Sequence, residues 1–154
     1  MKAVFNPHPS EIKIKDAYGN LIDGITYVEI SLKSSQDYYI FCSSYVFDIR
    51  LFDNFEADSC LFIYDGCKFR DDLRKNVSNE VSIQSFGCQP VEYLDPIKSN
   101  RPGKQPTIEF HKHIKYLYQH EYRHVFIPKI GQDLKKDLFL NIPEASNYSE
   151  LICL

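Results

Sequence analysis

The sequence predicts an α+β domain built on a mainly antiparallel sheet with two or three short helices, and three observations carry that prediction. Segments rich in β-branched and aromatic residues outnumber those with helical periodicity, and they follow one another with turn residues between them. Tyr and Phe number 11 each, and ring side chains fit best on a half-buried pleated surface. The hydrophobic fraction is 44% against 25% charged, which over 154 residues supplies a core without disulfide or metal staples. The whole chain, 1–154, reads as one domain.

Taken in chain order, residues 1–10 carry Pro7 and Pro9 and read as an irregular arm. Glu11 to Lys15 alternates apolar and charged residues, the pattern of a half-buried strand. Asp16-Ala17-Tyr18-Gly19-Asn20 and Asp23-Gly24 are turn chemistry, and Ile25 to Leu32 is β-rich, which together predict a hairpin or small meander. Ser34 to Asp37 is a polar loop. Tyr38 to Cys42 is a β-prone run ending at Ser43-Ser44. Asp48 is placed to cap a short helix through Phe55, because its carboxylate can accept orphan backbone N–H groups. Ser59 to Tyr64 reads as a buried strand closed by Asp65-Gly66. Over 67–77, Phe69, Leu73 and Val77 recur on one helical face. Val81 to Phe86 and Val91 to Leu94 read as separate strands with Gly87 and Pro90 between them. Residues 95–106 hold three prolines and a glycine and form the clearest loop, a candidate flap. Leu138 to Ile142 is a last strand, and Tyr148 to Leu154 a short helix or tail.

The formal net charge is -3 with no basic stripe, so general nucleic-acid binding is not expected. A local nucleotide pocket stays open, because the stretch His111 to His124 gathers four of the five His with Lys112, Lys115 and Arg123. The five Cys have no CxxC spacing, and Cys42, Cys60 and Cys153 sit among apolar residues, where a thiol packs as a small hydrophobe. The N-terminus has no signal-peptide pattern. No stretch approaches the ~18 apolar residues of a membrane span. The expectation is a reduced, cytoplasmic protein with no membrane association.

Two overlapping words lie in YLYQHEYRHVFIP, Tyr116 to Pro128. His120-Glu121-Tyr122-Arg123-His124 spells HExxH, which as a helix would let two His chelate zinc while the Glu polarises water. Ile114, Leu117, Tyr118, Tyr122 and Val125 fit helical spacing, Glu144 lies at a tolerable distance for a third ligand, and His111 and His113 are further candidates. Against this, Pro128 stops a helix, Val125-Phe126-Ile127 suits a strand, and Arg123 sets a fixed charge between the would-be ligands. On a strand His120 and His124 would stand roughly 13 Å apart, too far to share one ion. The extended backbone is the expected one, with no metal. A zinc hydrolase acting through His120, Glu121 and His124 is the third-ranked reading.

The second word is Gln119-His120-Glu121. Phe110-x-Lys112, then Tyr116-x-Tyr118-Gln119-x-Glu121-Tyr122-Arg123, resembles the late Q-x-E-Y-R run of a family of bacterial and prophage proteins, and a domain of mobile-element type, phage, prophage or defence-related, is the expectation. Phe41-Cys42-Ser43-Ser44, Leu51-Phe52-x-x-Phe55-x-Ala57-Asp58-x-Cys60, Tyr93-x-Asp95-Pro96, Leu140-Asn141-Ile142 and Tyr148-x-Glu150-Leu151-Ile152 match further segments of that family in the same order. The resemblance covers roughly residues 38–154, and the family pattern is similar to ADP-ribosyltransferase-like folds. It implies NAD as cofactor and Glu121 as the catalytic carboxylate, supporting an oxocarbenium-like transition state. It further implies Gln119 on acceptor or ribose, Ser43 and Ser44 as scaffold of the NAD pocket, Tyr45 or Tyr118 stacking on nicotinamide, and Arg123, beside Glu121, as a further cofactor-binding residue. Longer family members carry an N-terminal segment with the first NAD-binding residue; here only His8, Lys13 and Lys15 stand at that place. The alternative reading is therefore a non-catalytic module that binds a protein partner.

Overall fold

The computed structural model describes residues 2–5, 14–15, 18–22, 28–31, 34, 36–95 and 107–153. The fold is α+β with mainly antiparallel strands. In order it runs β1 (Lys2–Phe5), β2 (Ile14–Lys15), β3 (Leu21–Ile22), β4 (Val28–Ser31), β5 (Tyr39–Ser44), α1 (Arg50–Phe55), β6 (Ser59–Ile63), α2 (Gly66–Glu80), β7 (Ile83–Pro90), β8 (Glu92–Leu94), β9 (His111–His113), β10 (Glu121–Pro128) and β11 (Ser149–Cys153). Three 3-10 turns, Ile108–Phe110, Ile114–Gln119 and Pro143–Asn147, fill the connections.

The organising element is β10, the middle strand of β5-β10-β7, antiparallel to both neighbours. Its residues alternate between two covered faces. Tyr122, His124 and Phe126 point toward α2. Glu121, Arg123 and Val125 point toward the segment 107–119. A strand covered on both sides loses the polar/apolar alternation of a surface strand, which is why EYRHVFIP also fits a helical template.

The first face is the apolar core. Phe69, Leu73 and Val77 lie one turn apart on α2 and pack with Phe126 and Tyr148, all five buried. Each such side chain contributes roughly 1.5–3 kcal/mol on leaving water. Asp65 starts α2 by accepting the Lys68 N–H at 2.9 Å, so the turn signal Asp65-Gly66 is a helix cap. Tyr148 adds a hydrogen bond from its hydroxyl to Asp72 at 2.9 Å.

Several expectations need correction. Lys2–Phe5 is not irregular: it pairs antiparallel with β4. Gly87 and Pro90 do not interrupt the sheet; β7 runs through both. Gly87 keeps the ladder open to the ring of Phe110, which a β-carbon there would meet at 3.1 Å. Asp48 does not occupy the cap position of α1, which falls to Ile49, although the Asp48 carboxylate accepts the Arg50 N–H at 3.0 Å. Leu138 to Ile142 has no ladder partner among the described residues; its alternation serves to put Leu138, Leu140 and Ile142 against the core. The segment from Tyr148 is neither helix nor tail, because β11 pairs residue for residue with β6. Propensity there yields to a free strand edge. The expectations for residues 6–13, Asp23-Gly24 and the loop 96–106 fall outside the described residues. Among the described residues no helix is long and apolar enough to cross a membrane.

Candidate functional site

The second face of β10 carries charge. The chain reaches it by a tight return. β9 pairs parallel with β8, setting Lys112 beside Tyr93. The 3-10 turn Ile114–Gln119 follows and is closed by His120, whose left-handed backbone (φ 42) swings the chain into β10. Nine positions after Lys112, Glu121 therefore lies directly against it.

Glu121 is buried, with 7% of its side chain exposed. Arg123 Nε donates to its Oε1 at 2.6 Å, and Lys112 Nζ donates to its Oε2 at 2.7 Å. The same ammonium donates to Gln119 Oε1 at 2.5 Å. Arg123 Nη1 reaches the Glu109 carbonyl at 2.7 Å. The Glu121 N–H donates to the Tyr93 hydroxyl at 2.9 Å, and its carbonyl accepts the Val91 N–H at 2.8 Å. Burial alone would raise the Glu121 carboxyl, but hydrogen bonds from Arg123, Cys42 and Lys112 outweigh it and hold the group at about 2. Glu121 is thus an ionised carboxylate near neutral pH, with both oxygens engaged. Cys42 is exposed as a residue, yet its thiol lies against Glu121. Partial burial there, with the hydrogen bond to that carboxylate, pushes the thiol up to about 12, so it remains a neutral donor.

Beside this cluster opens a cavity of about 370 Å³, lined by Tyr38, Ile108, His111, Lys112, His113, Lys115, Tyr116 and Arg123. Lys112 and Arg123 belong both to the cluster and to the cavity wall. Glu121 stands behind that wall and holds the two cations in place. Lys112 and Lys115 both lie over the Tyr116 ring, at 4.8 and 4.7 Å from its centre.

Of the residues singled out in the sequence, Glu121, Gln119 and Arg123 come together. Tyr118 is adjacent, its hydroxyl accepting from Gln119 Nε2 at 3.3 Å. Ser44 is the cross-strand partner of Glu121 and shares its face, but its hydroxyl is tied to the Val46 carbonyl at 2.7 Å. Ser43 pairs with Tyr122 and so belongs to the opposite face. Tyr45 packs edge-on against His120, with ring centres 5.6 Å apart. Sequence reasoning does not single out Lys112, Lys115, His113, Tyr38 and Tyr116 as lining one cavity. The concentration of positive charge in 111–124 is the signal that points toward them.

HExxH is not helical. His120 sits in the turn before the strand, and His124 is buried on the α2 face among Phe41, Phe69 and Phe86. The i, i+4 proximity that chelation through this motif requires is therefore lacking. Comparison with protein-family models, curated proteins and solved structures returns no match to this chain.

Proposed function

We propose that this protein is a nucleotide-binding domain, with NAD as the first candidate ligand, whose cationic cleft is organised by Glu121. The observation that carries the reading is the pair of ion pairs, at 2.7 and 2.6 Å, through which one buried carboxylate fixes Lys112 and Arg123 on the wall of the cavity. Cations held in a preformed geometry bind anionic groups at lower entropic cost than free side chains. Tyr38 supplies the aromatic surface that a nucleobase or nicotinamide requires. ADP-ribosyl transfer through Glu121, as the family resemblance implies, requires Lys112 or Arg123 to release one carboxylate oxygen to the ribose when substrate binds. Thermal unfolding with millimolar NAD or ADP-ribose should rise by several degrees, and an unchanged transition would count against the nucleotide reading. NAD cleavage tested in parallel decides whether transfer chemistry accompanies binding.

A protein-binding role is favoured by a separate observation. Leu61 and Leu151 are cross-strand partners in the β6–β11 ribbon, and they remain 54% and 63% exposed. An exposed apolar pair on a strand ribbon offers a partner protein a surface to cover. Affinity capture should retain a stoichiometric protein on the native chain and lose it on the Leu61→Lys, Leu151→Lys variant; identical profiles would remove this role.

A further inference from the structure

We propose that the cleft recognises a phosphomonoester dianion on a ligand of mononucleotide size, with Lys115, Lys112 and His113 forming the phosphate seat and Tyr38 the base-stacking wall. This rests on the nucleotide reading above and narrows it.

Charge is the first argument. Among the described residues the cavity lining holds Lys112, Lys115 and Arg123 and no carboxylate. Glu121 behind the wall offsets one of these three charges, and Glu92 approaches the lining only at His111. The lining is cationic, which favours an anion such as a phosphomonoester. The position of Lys115 is the second. Its ammonium has no carboxylate partner among the described residues, yet it converges with Lys112 on one ring, at 4.7 and 4.8 Å from the centre. Two ammoniums this near one ring centre raise the local positive potential, and a phosphate that reaches either is stabilised by both.

The division of labour between the two His of the lining is the third. His111 is fully engaged: Nδ1 meets the Thr107 carbonyl at 2.6 Å and Nε2 meets Glu92 at 3.2 Å. His113 Nδ1 instead accepts the Lys115 N–H at 3.1 Å. An accepting Nδ1 places the proton of the neutral ring on Nε2, leaving a donor for a phosphate oxygen. Size is the fourth argument. A volume of about 370 Å³ lies at the low end of the roughly 300–1,000 Å³ typical of ligand sites. It suits one nucleotide better than the two joined in NAD. The Tyr116 ring already faces ammonium groups, which leaves Tyr38 to stack on the base.

The test is calorimetric titration of the native chain with AMP, GMP, CMP and UMP, their nucleosides, inorganic phosphate and NAD, repeated on Lys115→Gln. Lys115 is exposed and lies outside the core, so this variant keeps the fold. At least one mononucleotide should bind about tenfold or more tightly than its nucleoside, the gain expected of charge-assisted contacts. Inorganic phosphate should compete with it, and Lys115→Gln should erase most of the difference while leaving nucleoside affinity unchanged. Equal affinity for nucleotide and nucleoside, or an unaffected Lys115→Gln, would overturn the phosphate seat. NAD binding without mononucleotide binding overturns the phosphomonoester assignment and leaves the broader nucleotide reading standing. Binding of neither class removes both.

Discussion

The two faces of β10 bury ionisable groups in opposite ways. On the face toward residues 107–119, Glu121 keeps its charge, because Lys112, Arg123 and Cys42 together supply the hydrogen bonds lost with water. On the face toward α2, His124 sits among aromatic rings with its Nδ1 unpartnered among the described residues. Burial and the nearby Arg70 guanidinium push its pKa down, so it stays neutral. A buried charge persists only when its partners are complete; a buried group without them gives up the charge instead. The complete face is also the one that borders a cavity.

The largest expected effect is on the charged face. Glu121→Gln keeps the shape and removes the countercharge of two cations that are 24% and 12% exposed. Breaking such a pair from one side should cost about 3 kcal/mol, read as a lower urea midpoint at unchanged slope. The sign with pH follows from the depressed carboxyl. Its contribution is complete above about 4.5 and is lost as the pH falls toward about 2. The variant should lack that acid limb. A loss below about 1 kcal/mol would show that the ion pairs do not anchor this face.

The next effect tests how closely the covering segment sits on the sheet. Gly87 faces the same side as its partner Val125 and lies under the Phe110 ring. Gly87→Val should cost about 1–3 kcal/mol by overpacking. Pairing it with Phe110→Ala should recover some of that loss in a double-mutant cycle. Strict additivity would mean that the two residues do not touch.

The aromatic face gives an effect in a different pH window. A His with a depressed folded pKa binds its proton more readily when unfolded, so stability falls as the pH drops below 6.5. His124→Leu fills the same apolar site without an ionisable group and should flatten stability just below pH 6.5. Glu121 begins to act only below about 4.5, so the two faces separate in one pH series. A native chain with no slope in that window would mean that His124 finds a partner there.

Legibility in the sequence depends on the residue. Phe69, Leu73 and Val77 announce α2 through spacing alone, since a helix against a sheet needs only one apolar stripe. The strand character of Glu121 to Pro128 is legible from Pro128 and from Val125-Phe126-Ile127. β11 is not, because Ser149 to Cys153 becomes a strand only through its register with β6, a partner some 90 residues upstream. At the site, Glu121 and Arg123 are legible as an i, i+2 pair on one strand face. Lys112 enters only as local positive charge, since its contact with Glu121 depends on the 3-10 return and on the left-handed turn at His120. Cys42 reads as an apolar thiol because its neighbours in sequence are apolar, while its neighbour in space is a carboxylate.

The smallest effect concerns that turn, and it disposes of the metalloprotease word directly. His120 holds φ 42, a conformation that costs a residue with a β-carbon roughly 1 kcal/mol and costs Gly almost nothing. His120→Gly removes that strain. It also gives up the edge contact with Tyr45 and adds freedom to the unfolded chain worth about 0.4–1 kcal/mol. These opposing terms nearly cancel, so the melting temperature should move by only a degree or two. Ligand binding should be unchanged, since His120 is not among the residues lining the cavity. If HExxH were the working motif, the same substitution would abolish function outright. The turn at His120 needs the left-handed backbone and not the imidazole, whereas one residue later the carboxylate of Glu121 is indispensable to the charged face.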